Sequence, residues 1–94
     1  MDVAHNKLAD IPPSIGELDS LISIDLCQNE LMDLPESVGN LHKLRLCDLR
    51  KNKLLSLPDS LSQLSDLVTL DCGSNKLEKV PEQLNELKNL QVRF

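Results

Sequence analysis

Four aspartates, Asp2, Asp25, Asp48 and Asp71, recur at a fixed interval of 23 residues. Evenly spaced carboxylates can act as bases, as hard oxygen ligands for a divalent cation, or as a charged ladder for a cationic partner. Three cysteines (Cys27, Cys47, Cys72) and two histidines (His5, His42) complete the set of candidate nucleophiles, bases and ligands. Nucleophilic catalysis needs a base within hydrogen-bond reach of a serine or cysteine. The two histidines fall at different points of the 23-residue interval, and neither pairs with such a nucleophile. C-x-x-C, H-E-x-x-H and Gly-rich phosphate loops are absent, and Gly16, Gly39 and Gly73 stand alone. A flat ladder of aspartates offers few ligands per cation and no cage. The expectation is a chain with no catalytic residues, no metal site and no cofactor.

The aspartate interval belongs to the whole chain. Leu21, Leu44, Leu67 and Leu90 are also 23 apart, and counting each unit from that leucine aligns every other column. Apolar residues fill positions 4, 6, 11, 14, 18 and 21, as in Ile24, Leu26, Leu31, Leu34, Val38 and Leu41. Position 9 is always asparagine (Asn6, Asn29, Asn52, Asn75) and position 15 always proline (Pro12, Pro35, Pro58, Pro81). The repeats run approximately over 1–20, 21–43, 44–66 and 67–89, with the start of a fifth at 90–94. They form a single domain of 1–94; since both ends fall inside a repeat, the chain is expected to be a window on a longer array, a small protein whose ends are covered by association, or one that ends on Arg93 as a polar cap.

In these columns the chain resembles the leucine-rich-repeat family. Its L-x-x-L-x-L-x-x-N-x-L pattern stands here as L-I-S-I-D-L-C-Q-N-E-L from Leu21 and L-V-T-L-D-C-G-S-N-K-L from Leu67. The 23-residue length with L-P resembles the intracellular, Ras-group class. The resemblance implies an α/β solenoid with a curved parallel sheet on its concave side and 3₁₀ or short helical segments on its convex side. The residues fit that fold. Positions 3 to 7 alternate apolar and polar, the period of a half-buried strand. Stacked strands then bury one continuous leucine core. The structural asparagine ladder, Asn6, Asn29, Asn52 and Asn75, would satisfy backbone groups exposed by the turn after each strand. The prolines suit the first turn of a compact outer segment.

With the core assigned, the outward strand positions define the candidate binding face: Asp25, Leu46, Asp48, Arg50, Lys51, Thr69 and Asp71. The aspartates either solubilise the strand face or select a basic partner, and Leu46 adds an apolar patch at the centre. Register places Cys27 on the same open face, one strand from Arg50, while Cys47 and Cys72 replace core aliphatics. At the C-terminus it places Val92 outward, Arg93 in a core column and Phe94 outward.

A net charge of −5 argues against binding to a nucleic-acid backbone or an acidic membrane surface. No apolar run reaches the length of a membrane span, and no signal peptide is visible. An odd cysteine count without close pairs fits a reducing compartment. The expected location is therefore the cytoplasm, with the nucleus as alternative. The expected function is a protein–protein interaction module or scaffold that binds another protein on the concave face. The resemblance suggests partners in small-GTPase, kinase or phosphatase signalling. The alternatives are a regulatory or targeting domain of a larger enzyme, or a structural subunit of a large assembly. Uncapped terminal repeats further suggest end-to-end self-association.

Overall fold

The computed structural model describes residues 1–94. Four short strands, β1 (Ser23–Asp25), β2 (Leu46–Asp48), β3 (Thr69–Asp71) and β4 (Gln91–Arg93), form one parallel sheet in chain order. Four 3₁₀ helices, η1 (Pro13–Glu17), η2 (Glu36–Asn40), η3 (Asp59–Gln63) and η4 (Glu82–Glu86), form the second layer. Neighbouring strands pair one repeat apart, Ile24 with Cys47 and Cys47 with Leu70. An isolated bridge between Asp2 and Asp25 carries the same register into the first repeat.

The core is the apolar columns themselves. Leu31, Leu41, Leu44, Leu49, Leu54, Leu61, Leu64 and Leu70 are wholly buried between the layers, and Cys47 and Cys72 lie with them. Burying one such leucine stabilises the fold by about 1.5–3 kcal/mol. The layers at the two ends, including Val3, Leu8, Ile11, Leu87, Leu90 and Val92, are only partly covered.

The strands are three residues long, shorter than the five-residue alternation suggested, because the chain turns directly after each aspartate. The last strand also departs from the 23-residue register. Val92 pairs with Leu70 and Arg93 with Asp71, so Val92 points inward and Arg93 outward. A one-residue slip exchanges the two faces of a strand. Here it removes a charged side chain from the core, where an unpaired charge is costly, and puts valine in its place. The expectation of an inward Arg93 and an outward Val92 is thereby corrected.

Each proline sits immediately before the body of a 3₁₀ helix, with Pro12, Pro35 and Pro58 in extended backbone. The helix ends where the N–H of Leu18, Leu41, Leu64 or Leu87 bonds the carbonyl three residues back. Two of the glycines are spacers between these helices. A Cβ on Gly16 would stand 2.6 Å from Ser37 O, and one on Gly39 would stand 2.5 Å from Ser60 Cβ. The close approach lets Ser37 Oγ donate to Pro13 O at 2.6 Å and Ser60 Oγ donate to Glu36 O at 2.7 Å.

A further column lies just past each strand. His5, Gln28, Lys51 and Ser74 all have left-handed backbone, with φ of 62, 55, 59 and 58°. That conformation costs a residue with a Cβ about 1–2 kcal/mol, against about 0.5–1 kcal/mol of extra chain entropy for glycine. Lys51→Gly should therefore raise the thermal midpoint by a few degrees, while Lys51→Ala should not. Calorimetry of both variants checks this, and a lower midpoint for the glycine variant would contradict it.

Candidate functional site

The asparagine ladder lies behind the sheet's C-terminal edge. Asn52 Nδ2 donates to Leu26 O of the preceding repeat at 2.9 Å and to Leu49 O of its own at 3.1 Å, and Oδ1 accepts from Leu31 N. Asn29 does the same with Val3 O, Leu26 O and the N–H groups of Asn6 and Leu8. Asn75 bonds Leu49 O, Cys72 O and Leu54 N. Asn6 reaches only Val3 O and Ala4 O in its own repeat. Each of the other three side chains thus ties its turn to the one before.

The aspartate column is part of this turn. Oδ1 of Asp2, Asp25, Asp48 and Asp71 accepts the N–H two residues on, that of Ala4, Cys27, Arg50 and Gly73, in each case at 3.1 Å. This is the local side-chain bond that makes aspartate a turn former. An aspartate followed directly by a turn was the available signal, and a purely surface reading of the column missed it.

Leu46 lies at the centre of the open face and is 49 % exposed, with Thr69 beside it half-buried. Arg50 is committed to its neighbours. Its Nε and Nη2 bond Asp48 at 3.0 and 2.8 Å, and Nε stands 3.7 Å from Asp71. Lys51 is exposed in the left-handed turn beyond the strand. The structure therefore groups Leu46, Asp48, Arg50, Thr69 and Asp71, with Asp25 one strand away, and sets Lys51 at the rim.

Cys27 lies on the side of the open face, as its register predicts, but is covered there. It is only 8 % exposed. Its Sγ and the carboxylates of Asp25 and Asp48 all lie within 4.8 Å of one another. Its short side chain is covered by the two longer aspartates beside it. Burial pushes its thiol pKa up, and the Asp25 hydrogen bond and the charges of Asp25 and Asp48 push it the same way, against Arg50. The direction of the shift runs against a reactive thiolate at Cys27. As metal ligands the trio would supply donors from one side only, with Asp25 already bonding a backbone N–H and Asp48 bonding Arg50 as well.

Burial raises the thiol of Cys47 far above its ordinary range and lifts that of Cys72 to about 12. A thiol raised in the folded state supports the fold fully below its unfolded pKa. That support is lost as pH climbs through the folded value. The denaturation midpoint should therefore hold up to about pH 9 and fall beyond it, and Cys72→Val should flatten the decline. A midpoint unchanged at pH 11 would refute it. Asp48 acts at the other end. Burial raises its carboxyl pKa, but the hydrogen bonds and charge of Arg50 outweigh this and leave it lowered. Its contribution is present above the ordinary value of 3.8 and is lost as pH falls below that.

No protein-family model matches this chain, and no curated protein matches it. Solved structures do match. One is a leucine-rich-repeat protein of Leptospira interrogans, similar with a TM-score of 0.88 and 39 % sequence identity over 93 % of this chain. This chain spans 22 % of the length of that protein. The likeness, the parallel sheet in chain order and the 3₁₀ helices together give the leucine-rich-repeat solenoid fold.

Proposed function

We propose that this leucine-rich-repeat solenoid is a protein-interaction module whose concave strand face receives another protein. The observation that carries the reading is Leu46. It is a large apolar side chain, half exposed at the middle of a sheet face that is otherwise polar, and it borders a shallow hollow of about 170 Å³ formed with Cys47, Asp48, Thr69 and Asp71. An aliphatic anchor inside a polar rim is the arrangement from which binding hot spots are built. A larger hollow of about 730 Å³ runs past Pro35, Pro58 and Pro81, but its walls are mostly polar and contain no exposed apolar anchor. Asp25, Asp48, Arg50, Lys51, Thr69 and Asp71 surround the anchor in this reading. The family resemblance points to signalling partners such as small GTPases or kinases, and to the cytoplasm or nucleus. No helix is long and apolar enough to cross a membrane.

Two exposed apolar residues on different faces provide the test. Leu46→Glu should abolish capture of a partner protein, whereas Met32→Glu, at a residue 58 % exposed and away from the sheet, should not. Equal capture by both variants would remove the concave face from the function.

A further inference from the structure

We infer that the partner presents an arginine or lysine two residues from an aliphatic residue in an extended segment, the cation seated on Asp25 and the aliphatic side chain on Leu46. This rests on the reading of the strand face as the binding surface, and adds the chemistry and spacing of what binds there.

The charges of the face are unevenly answered. Asp48 is held by Arg50, which also faces Asp71, and Arg93 is the strand neighbour of Asp71. Asp25 has no such cation. Its Oδ1 accepts the Cys27 N–H, while no lysine or arginine nitrogen lies within 4.0 Å of its carboxylate. On both sides it stacks against further aspartates, Asp2 and Asp48. Like charges at strand spacing repel, so a partner's cation gains most at Asp25, the one strand aspartate without a Lys or Arg of the chain against it or paired with it. The acidic column at the same time disfavours a nucleic-acid strand or an acidic peptide.

Register fixes the second contact. Leu46 pairs with Ser23, which puts it one strand over and two residues back from Asp25. With strands about 4.8 Å apart and a rise of about 3.3 Å per residue, the two positions lie about 8 Å apart. Alternate residues of an extended segment project to the same side about 6.6 Å apart. A cation-x-aliphatic segment lying obliquely across β1 and β2 therefore spans both. The hollow beside Leu46, about 170 Å³, is large enough to receive one aliphatic side chain.

The probe is a display library of random dodecapeptides, selected on the intact chain and re-measured on two variants. Asp25→Asn removes the charge but keeps an Oδ1 for the Cys27 N–H, and Leu46→Ser removes the anchor. Thermal unfolding of both verifies that they fold. The expected result is enrichment of Arg or Lys two residues from Leu, Ile, Val or Met. Binding should fall about tenfold or more in Asp25→Asn, comparably in Leu46→Ser, and steeply as salt rises. Peptides without the cation that lose binding only in Leu46→Ser overturn this inference and leave the binding face standing. Peptides indifferent to both variants overturn the face as well. Failure to enrich any peptide overturns the inference, because an extended segment then does not suffice.

Discussion

Replacing Asn52 with leucine should unfold most of the molecule at moderate temperature. The substitution keeps the number and branching of the side-chain heavy atoms and leaves the apolar columns intact, so a hydrophobic account of the fold would predict little harm. The hydrogen bonds predict otherwise. Asn52 Nδ2 serves Leu26 O, Leu49 O and Arg50 O, and its Oδ1 serves Leu31 N, in surroundings that are buried. Each buried group left without a partner costs about 1–3 kcal/mol. The costs do not add fully, and a loss of about 3–5 kcal/mol is expected against a typical total of about 5–15 kcal/mol. The thermal midpoint should drop by about 15–30 °C at this chain length. Asn6→Leu is the internal control. The Asn6 side chain is exposed and bonds only within its own repeat, so its loss should cost about 1 kcal/mol or less. Calorimetry that finds the two variants equally stable would show that the ladder does not couple the repeats.

The second large effect is expected from a single methyl group on the helical layer. In Gly39→Ala the added Cβ meets Ser60 Cβ at 2.5 Å and Ser60 O at 2.7 Å. Backbone cannot swing aside as a long side chain can, so η2 and η3 must separate. That stretches the bond from Ser60 Oγ to Glu36 O, now 2.7 Å. Overpacking of this kind costs about 1–3 kcal/mol, or roughly 4–20 °C in midpoint. Outside this packing, Gly→Ala in a helix is stabilising by about 0.5–1 kcal/mol, so the sign of the change tells the two accounts apart. Ser62 occupies the equivalent place in the next repeat and bonds only Asp59 O at an exposed site. Ser62→Ala should change stability by about 0.5 kcal/mol or less.

These two residues also mark how far the sequence could be read. The inward columns were legible because burial leaves a period: an apolar residue at positions 4, 6 and 11 of every repeat has only one side to face. The strand pairing one repeat apart followed from that period, and the structure shows it in Ile24–Cys47–Leu70. Bonds that do not change a residue's class leave no such trace. Asp25 is polar whether it caps a turn, greets a partner or does both, and only its bond to Cys27 N reveals the first role. Gly16 and Gly39 read as isolated glycines because the surface they contact, Ser37 and Ser60, lies a full repeat further on. Register put Cys27 on the correct side of the sheet, but its covering by Asp25 and Asp48 depends on side-chain positions that leave no period. The slip at β4 escaped a fixed 23-residue count, although the cost of an inward Arg93 would have signalled it. On the face itself, Leu46 and the aspartates were legible as outward residues. The pairing of Arg50 with Asp48 was not, since it depends on a side-chain conformation.

The repeated asparagines maintain the coil, the repeated aspartates cap its turns, and recognition falls to the strand face around Leu46 and Asp25. Hydrogen–deuterium exchange of the chain with and without a captured partner protein tests this most directly. Partner-induced protection is predicted at β1, β2 and β3 and the turns that follow them, centred on Leu46, with η1 to η4 unchanged. Protection confined to the 3₁₀ helices, with the strands exchanging as in the free chain, would contradict it.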